Sequence, residues 1–231
     1  MTIVFIVSAP SGSGKSTLVN ELFKMVQKLD FSISYTTRLP RGSEKDGKEY
    51  FFVSEAEFKA MIAAGEFLEY AKVFGNDGDY YGTARRFLQE SERRSHDLLL
   101  DIDVQGAAQV KQKLPDAVSI FILPPDRDRL EWRLQHRGLD REEVIRRRLN
   151  AARREIENYS KYDYILVNDQ LEQSVDELKA IVLSERIIRS GKTPTAEEAR
   201  ILKTAEACRL EQARNQVQPI LASFGGGSGS N

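Results

Sequence analysis

The sequence predicts an α/β fold in which a parallel β-sheet lies between two layers of helices. Residues 3–7 form an unbroken apolar run of strand-forming residues, which is typical of a strand buried on both faces. Similar apolar runs follow at 97–104, 118–123 and 164–167. Stretches with helical periodicity lie between the first and second runs, between the third and fourth runs, and after the last run. Strands that alternate with helices pair in parallel, and such sheets bind ligands at the carboxyl ends of their strands.

A glycine- and serine-rich loop connects the first apolar run to a helix that begins near Lys15. This order of strand, loop and helix is the setting of a phosphate-binding loop of the P-loop NTPase type. Gly12 and Gly14 keep side chains away, so that backbone N–H groups can surround phosphate oxygens. Ala9 stands where the usual pattern has its first glycine, and alanine adds only a methyl group. The predicted ATP-binding residues of this loop are Ala9, Pro10, Ser11, Gly12, Ser13, Gly14, Lys15, Ser16 and Thr17.

Composition and charge limit the possible classes of function. The 231 residues include 41% hydrophobic and 30% charged residues, which is ordinary for one α/β domain with a small insertion. The formal net charge of -1 argues against general attraction to nucleic acid or to an anionic membrane surface. The N-terminal apolar run is too short for a signal peptide, and no run is long enough to span a membrane. We therefore expect a cytoplasmic protein that binds neither nucleic acid nor membrane.

Periodicity and turn signals predict the remaining elements. Short β patterns between 34 and 83 surround one helix that begins at the capping box of Ser54 and Glu57, which indicates an inserted α+β module. The predicted strands of this first half are 31–37, 49–53 and 66–74. The predicted helices are 15–26, 54–62, 85–95, 126–159 with a break at 137–140, 171–189, and one or two helices in 193–222.

These elements divide the chain into a core and three additions. The predicted core comprises residues 1–33 and 84–190, and it includes a helical lid at about 126–158. The three additions are the inserted module at 34–83, a C-terminal helical extension at 191–223 and a flexible tail at 224–231. The tail is rich in glycine and serine and has no apolar side chains after its first residue, so it has nothing to bury in a core.

Several separate motifs, in order along the chain, resemble those of the guanylate kinases, and the similarity covers about residues 3–190. The motifs are Pro10–Thr17, Ser34–Arg41, Gly47–Tyr50, Gly65–Glu69, Tyr80–Thr83, Asp101–Gly106 and Val167–Asp169. Their joint occurrence is far more specific than the phosphate-binding loop alone. The resemblance implies transfer of the γ-phosphate of ATP to GMP, with Mg²⁺ as the cofactor and the inserted module as the GMP-binding domain.

Guanine has N–H donors at N1 and at its 2-amino group and an acceptor at O6, so a selective site needs a carboxylate and a hydroxyl or N–H group. By resemblance, Glu69 and Asp103 take the guanine donors, and Ser34 and Thr83 approach the acceptor side. Adenine has the opposite pattern and leaves a buried carboxylate unpaired, at a cost of roughly 1–3 kcal/mol. The implied GMP-binding residues, in which two arginines and two tyrosines hold the phosphate, are Ser34, Arg38, Arg41, Tyr50, Glu69, Tyr81, Thr83 and Asp103.

The resemblance also implies which residues serve the transfer step. Arginines of the lid would stabilise the charge on the transferring phosphoryl group once the lid and the GMP-binding domain have closed. Ser16 and Asp101 would hold Mg²⁺, and Asn168 would lie on the adenine side of the ATP site. The implied catalytic residues are Lys15, Arg38, Arg133, Arg137 and Arg148.

Two other functions fit parts of the sequence. A guanylate-kinase-like binding module would dock a phosphorylated partner, but such modules usually have a degraded phosphate-binding loop, whereas Lys15 and Ser16 are present. A P-loop phosphotransferase for another phosphorylated acceptor would not need the guanine-reading residues.

The family usually lacks an equivalent of Asp77–Asp79, and we expect this insertion to bulge into solvent and to leave Tyr81 in place. The sequence does not determine the oligomeric state.

Overall fold

The protein has strands and helices that alternate along most of the chain. The structure is a computed structural model that describes residues 2–72, 78–136 and 141–225. Its strands are β1 (Val4–Ser8), β2 (Leu29–Ser32), β3 (Tyr35–Thr36), β4 (Phe51–Phe52), β5 (Phe67–Lys72), β6 (Tyr80–Ala84), β7 (Asp97–Asp101), β8 (Val118–Leu123) and β9 (Tyr164–Val167). Its helices are α1 (Lys15–Met25), α2 (Glu55–Ala63), α3 (Arg85–Arg94), α4 (Val104–Lys113), α5 (Arg127–His136), α6 (Glu142–Ile156), α7 (Leu171–Ser190), α8 (Ala196–Ala207) and α9 (Leu210–Gly225). Within the described ranges, no helix combines the length and the apolar character that crossing a membrane requires.

The strands form two sheets. A five-stranded sheet has the order β2-β7-β1-β8-β9, and a four-stranded sheet has the order β4-β3-β6-β5. The pairs β2–β7 and β8–β9 are parallel, as expected for strands that helices connect. In the smaller sheet β6 is antiparallel to both β3 and β5, whereas β3 and β4 are parallel. The parallel sheet and its alternation with helices confirm the predicted α/β fold class.

The chain divides into two compact units, and the first comprises Met1–Ile6 and Lys28–Val118. This unit contains the four-stranded sheet, β2, β7 and the helices α2, α3 and α4. The side chains of Leu98, Leu99 and Leu100 in β7 are completely buried. The Ile3 backbone N–H donates a 2.8 Å hydrogen bond to the Asp97 carboxylate. These contacts fix the position of β7 and of the polar residues that follow it.

The second unit comprises Val7–Gln27 and Ser119–Asn231. All six residues of β8 are buried, and α7 packs against both α1 and α8. The Tyr164 hydroxyl donates a 2.6 Å hydrogen bond to the buried Glu185 carboxylate, which also accepts a 3.0 Å hydrogen bond from Arg209. The Arg209 guanidinium lies 4.2 Å from the centre of the Tyr164 ring. This cluster joins β9, α7 and the connection between α8 and α9.

The structure moves some of the predicted boundaries. The predicted strand 31–37 is two strands, since β2 pairs with β7 whereas β3 belongs to the smaller sheet. The predicted strand 97–104 ends at Asp101, because Asp103 caps a helix, α4, that the periodicity did not predict. The helix α9 continues through Phe224, which is 5% exposed, so the helical extension is longer than predicted. The predicted helix break at 137–140 lies outside the described residues, as do residues 73–77 and 226–231.

Candidate active site

The predicted phosphate-binding loop lies between β1 and α1 in the second unit. Gly12 and Gly14 have φ angles of 95° and 88°, which residues with a side chain rarely adopt. A Cβ atom on Gly12 would lie 2.8 Å from Leu134, and one on Gly14 would collide with the amide nitrogen of Asn168. The helix α1 begins at Lys15, so the positive end of its dipole faces the loop, and none of the described side chains caps its first turn. This arrangement suits the binding of an anion such as phosphate.

Two side chains hold the backbone of this loop. The amide nitrogen of Asn168 donates a 2.7 Å hydrogen bond to the Ser13 carbonyl oxygen, and Asn168 itself is 5% exposed. Arg133 in α5 donates to the Ser13 carbonyl at 3.3 Å and to the Asn168 carbonyl at 2.9 Å. The structure thus brings two predicted site residues, Arg133 from α5 and Asn168 after β9, to the phosphate-binding loop. The Ser13 hydroxyl is buried and has no hydrogen-bond partner among the residues that the structure describes.

A pocket of about 310 Å³ adjoins the loop, which is a sufficient volume for a nucleotide base. The lining residues are Gly12, Gly14, Thr17, Trp132, Arg133, His136, Asn168, Asp169 and Leu171. The Trp132 side chain is 51% exposed and stacks on His136, with ring centroids 4.1 Å apart. The pocket therefore combines an aromatic surface with the polar groups that hold the loop.

A second group of predicted site residues lies in the first unit, around Glu69. Glu69 in β5 is opposite Thr83 in β6, and both residues are buried. The Thr83 hydroxyl lies near the Glu69 carboxylate, but it makes no hydrogen bond of ordinary geometry within the described part of the chain. Asp103 caps α4 and accepts hydrogen bonds from the backbone N–H groups of Gln105 at 3.0 Å and of Gly106 at 2.8 Å. Two carboxylates and one unpartnered hydroxyl are therefore available in the same part of this unit.

The electrostatics of Glu69 are unusual for a glutamate. Its side chain is 4% exposed, and burial raises the pKa of its carboxyl group to about 7. The nearby Thr83 hydroxyl and backbone N–H lower this pKa, as does the positive charge of Lys113, whereas the negative charge of Asp103 raises it. The ionised form of such a buried carboxylate is costly in the protein without ligand, so a ligand with N–H donors stabilises it strongly through hydrogen bonds. A perturbed pKa of this kind is typical of functional sites.

A third group surrounds Arg38, whose side chain is 8% exposed. Its Nε donates a 3.1 Å hydrogen bond to the Tyr81 hydroxyl, and both terminal nitrogens donate to Glu44, at 2.9 and 3.0 Å. The guanidinium also lies 5.3 Å from the centre of the Tyr50 ring, and that ring is edge-on to Tyr81 at 5.8 Å. Burial raises the pKa of the Tyr50 hydroxyl, so Tyr50 stays a neutral donor at physiological pH.

The smaller sheet aligns the second and third groups. Tyr81 and Thr83 are two residues apart in β6, so their side chains are on the same face of the sheet, about 7 Å apart along the strand. Glu69 pairs with Thr83 across the strands and therefore has its side chain on that face as well. One face thus presents carboxylate and hydroxyl groups at one end and phenol and guanidinium groups at the other.

The other predicted residues have less specific surroundings. Ser34 is half-buried between β2 and β3, and its carbonyl oxygen accepts a 2.9 Å hydrogen bond from the Phe51 N–H. Arg148 is half-buried in α6, Asp101 ends β7, and Ser16 is exposed in the first turn of α1. Arg41 is exposed and contributes its backbone N–H to Glu44, at 2.7 Å. Arg137 and Asp77 lie outside the described residues, so their predicted roles stay predictions.

Sequence reasoning did not assign a role to Glu44 or to Gly106. Glu44 binds Arg38 through both carboxylate oxygens, and its position three residues after Arg41 in a turn was the available signal. Gly106 lies beside Glu69: a Cβ atom at that glycine would be 2.6 Å from the Glu69 carboxylate. Only the folded structure brings these residues together.

The sequence model described as guanylate kinase matches residues 1–185 of the chain. The chain belongs to the guanylate kinase family. A guanylate kinase of Koribacter versatilis is 60% identical over 224 residues, which cover 96% of this chain and 95% of that protein. A guanylate kinase of Nitrosomonas europaea is 48% identical over 81% of this chain and 92% of its own length.

A solved structure supports the same family. The crystal structure of guanylate kinase from Anaplasma phagocytophilum matches with a TM-score of 0.62 and 33% sequence identity, covering 84% of this chain and 88% of that chain. The family model ends before α8 and α9, whereas the similarity to the Koribacter guanylate kinase extends across most of both helices. Membership of the guanylate kinase family does not favour the two alternative functions.

Proposed function

We propose that this guanylate kinase transfers the γ-phosphate of ATP to GMP by in-line attack of a GMP phosphate oxygen, giving ADP and GDP. Its family relatives are guanylate kinases, and the chain is an ATP:GMP phosphotransferase. The observation that carries the choice of acceptor is the pair of Glu69, 4% exposed, and Thr83, whose buried hydroxyl lies near that carboxylate and makes no hydrogen bond of ordinary geometry in the described ranges. Buried polar groups without partners cost free energy, and a ligand that pairs with them recovers it.

Guanine fits this pair better than the other common bases. The Glu69 carboxylate accepts hydrogen bonds from guanine N1–H and from its 2-amino group, and Asp103 adds an acceptor on the donor side. The Thr83 hydroxyl donates to O6, with Ser34 on the same side. Adenine has neither the N1–H donor nor the O6 acceptor, so it leaves these groups unpaired and is rejected.

The GMP phosphate lies at the other end of the same face. Arg38 supplies a guanidinium group, Arg41 supplies a second positive charge, and the hydroxyl groups of Tyr50 and Tyr81 supply neutral donors. Phosphate is bound well by arginine because the planar N–H groups match its oxygens. Anchoring the phosphate at its periphery leaves one oxygen available for attack on ATP.

ATP binds through the loop after β1. Backbone N–H groups between residues 11 and 17 surround the β- and γ-phosphates, and Lys15 adds a positive charge at the group that is transferred. The base lies in the pocket beside Asn168 and Arg133, whose hydrogen bonds to the Ser13 carbonyl support the placement of the loop. The stacked Trp132 and His136 rings offer an apolar surface to a planar base.

The donor set agrees with Mg²⁺ as the cofactor. The Ser16 hydroxyl and the Asp101 carboxylate are hard oxygen ligands of the kind that Mg²⁺ binds together with water and substrate phosphates. When bound with ATP, Mg²⁺ neutralises negative charge on the phosphates.

Closure of the lid and of the GMP-binding domain completes the proposed cycle. The lid at 126–158 carries Arg133, Arg137 and Arg148, which stabilise the spread of charge during transfer. Closure excludes water from the site and so prevents the hydrolysis of ATP that an open site would allow. The division into core, inserted module and lid, and the location of the reaction in the cytoplasm, are parts of this proposal.

A coupled assay of ADP formation tests the proposal. The purified chain is supplied with ATP, Mg²⁺ and one of GMP, AMP, CMP or UMP, and the Lys15→Ala variant is assayed in parallel. We expect strong turnover with GMP only and a loss of at least 100-fold in the variant, because the lysine charge is missing at the transferring phosphate. Omission of Mg²⁺ should abolish turnover.

The outcome that would overturn the proposal is equally definite. If none of the four nucleotides is phosphorylated while GMP still binds, the chain is a binding module. If another monophosphate is phosphorylated as well as GMP, Glu69 does not select guanine.

A further inference from the structure

The Arg38 side chain has a carboxylate partner that belongs to the same loop. Both oxygens of Glu44 accept hydrogen bonds from the Arg38 guanidinium, at 2.9 and 3.0 Å. The same carboxylate accepts a 2.7 Å hydrogen bond from the backbone N–H of Arg41. Glu44 therefore connects the two arginines that the proposed function assigns to the GMP phosphate.

The hydrogen bonds of Arg38 can be counted by donor. Arginine has five N–H groups, and four of them are used here: Nε to the Tyr81 hydroxyl, Nη1 to the Leu39 carbonyl and to Glu44, and Nη2 to Glu44. Among the residues that the structure describes, one N–H group on Nη2 has no acceptor and is left for a ligand. The Tyr81 hydroxyl accepts from Arg38, which leaves its own proton as a donor for the ligand.

The charge balance explains why a carboxylate is needed at this position. Arg38 is 8% exposed, and a buried guanidinium without a counter-charge is costly. The hydrogen bonds from Arg38 lower the pKa of Glu44, so Glu44 stays ionised at neutral pH. The pair is neutral overall, and the guanidinium is held in one orientation rather than attracted to other acids.

We propose that Glu44 is a positioning residue of the GMP site, which holds Arg38 so that its last N–H group and the Tyr81 hydroxyl point at the GMP phosphate. The inference rests on the proposed function of this site. It predicts that Glu44 contributes to binding of the phosphate and not of the guanine base. In a competing role, Glu44 would occupy the place of the GMP phosphate and would have to move away when GMP binds. Removal of the Glu44 charge would then strengthen GMP binding instead of weakening it.

The test is a Glu44→Gln variant, with Glu49→Gln as the matched control. Glutamine has the size of glutamate but only one acceptor oxygen, so in either orientation of its side chain the amino group faces one of the Arg38 terminal nitrogens. Glu49 is in the same loop and accepts a hydrogen bond from the Lys45 N–H, without any hydrogen bond to Arg38. Binding of GMP and of guanosine, which lacks the phosphate, is measured by calorimetry for both variants and for the wild type.

We expect Glu44→Gln to weaken GMP binding about tenfold, the effect of one charge-assisted hydrogen bond, and to change guanosine binding less than twofold. Glu49→Gln should behave as the wild type. The double variant with both Arg38→Lys and Glu44→Gln should bind GMP no more weakly than Arg38→Lys alone, because Glu44 acts through the Arg38 guanidinium.

Three results would overturn the inference. Tighter GMP binding by Glu44→Gln would show that Glu44 competes with the phosphate, and unchanged GMP binding would show that it has no role. Equal weakening of GMP and guanosine would show a merely structural role of the loop. These binding results are independent of turnover, so failure of the wild type to phosphorylate GMP would refute the proposed function and not this inference.

Discussion

Replacement of Glu69 by glutamine should stabilise the protein in the absence of substrate while it weakens guanine binding. The Glu69 carboxyl is 4% exposed, and burial raises its pKa from the ordinary 4.5 to about 7. Ionisation of this group at neutral pH is therefore unfavourable for the folded state. Glutamine has nearly the same shape and carries no charge, so the variant does not bear this cost.

The sign and the size of the effect follow from the two pKa values. Between pH 4.5 and about 7 the folded wild type binds more protons than the unfolded chain, so its free energy of unfolding falls as the pH rises. Above about pH 7 the loss is complete, and it corresponds to roughly 3 kcal/mol. Between pH 5 and pH 8 the stability of Glu69→Gln relative to the wild type should increase by about 2.5 kcal/mol.

Urea unfolding followed by circular dichroism at pH 5 and pH 8 measures this difference. The control is Glu66→Gln, which removes the same charge from an exposed glutamate three residues earlier. If the difference between Glu69→Gln and the wild type is the same at both pH values, Glu69 is not strained by burial. The reasoning about its role as a buried acceptor would then be wrong.

Two further predictions concern Gly106 and Tyr164. A Cβ atom on Gly106 would be 2.6 Å from the Glu69 carboxylate, which must move by about 0.8 Å to reach an ordinary contact, so Gly106→Ala should raise the KM for GMP about tenfold. Its melting temperature should not fall, because alanine favours helices more than glycine does, and an unchanged KM would contradict the prediction. Tyr164→Phe removes the 2.6 Å hydrogen bond to buried Glu185 and should lower the free energy of unfolding by about 2 kcal/mol in urea titrations. Its kcat and both KM values should stay at wild-type levels, and a stability loss below about 0.5 kcal/mol would show that Arg209 alone satisfies Glu185.

Features that depend on neighbouring residues could be predicted from the sequence. The predicted strands 118–123 and 164–167 match β8 and β9 residue for residue, because apolar runs of strand-forming residues this short favour a buried strand over a helix. The capping box of Ser54 and Glu57 is present at the start of α2. The positions of the glycines in the phosphate-binding loop could be predicted for the same reason, since backbone conformation is a local property.

Features that depend on distant segments could not be predicted in the same way. The sequence predicts one strand at 31–37, but β2 and β3 separate because their partners, β7 and β6, belong to different sheets. The helix α4 begins at Val104, within the stretch whose apolar pattern predicts a strand, so the predicted strand before it was too long. Asp103 therefore appeared as a strand residue, whereas it caps a helix.

By itself, the sequence determined the fold class, the family and the types of residue at the candidate site, because these are carried by contiguous motifs. Only the tertiary structure decided how those residues behave. The pKa of Glu69 depends on burial, the pairing of Arg38 with Glu44 depends on the path of the loop, and the contact of Glu69 with Gly106 joins β5 to α4. Solvent access and distance between side chains arise only when separate segments pack together, and these two quantities set the chemistry of the site.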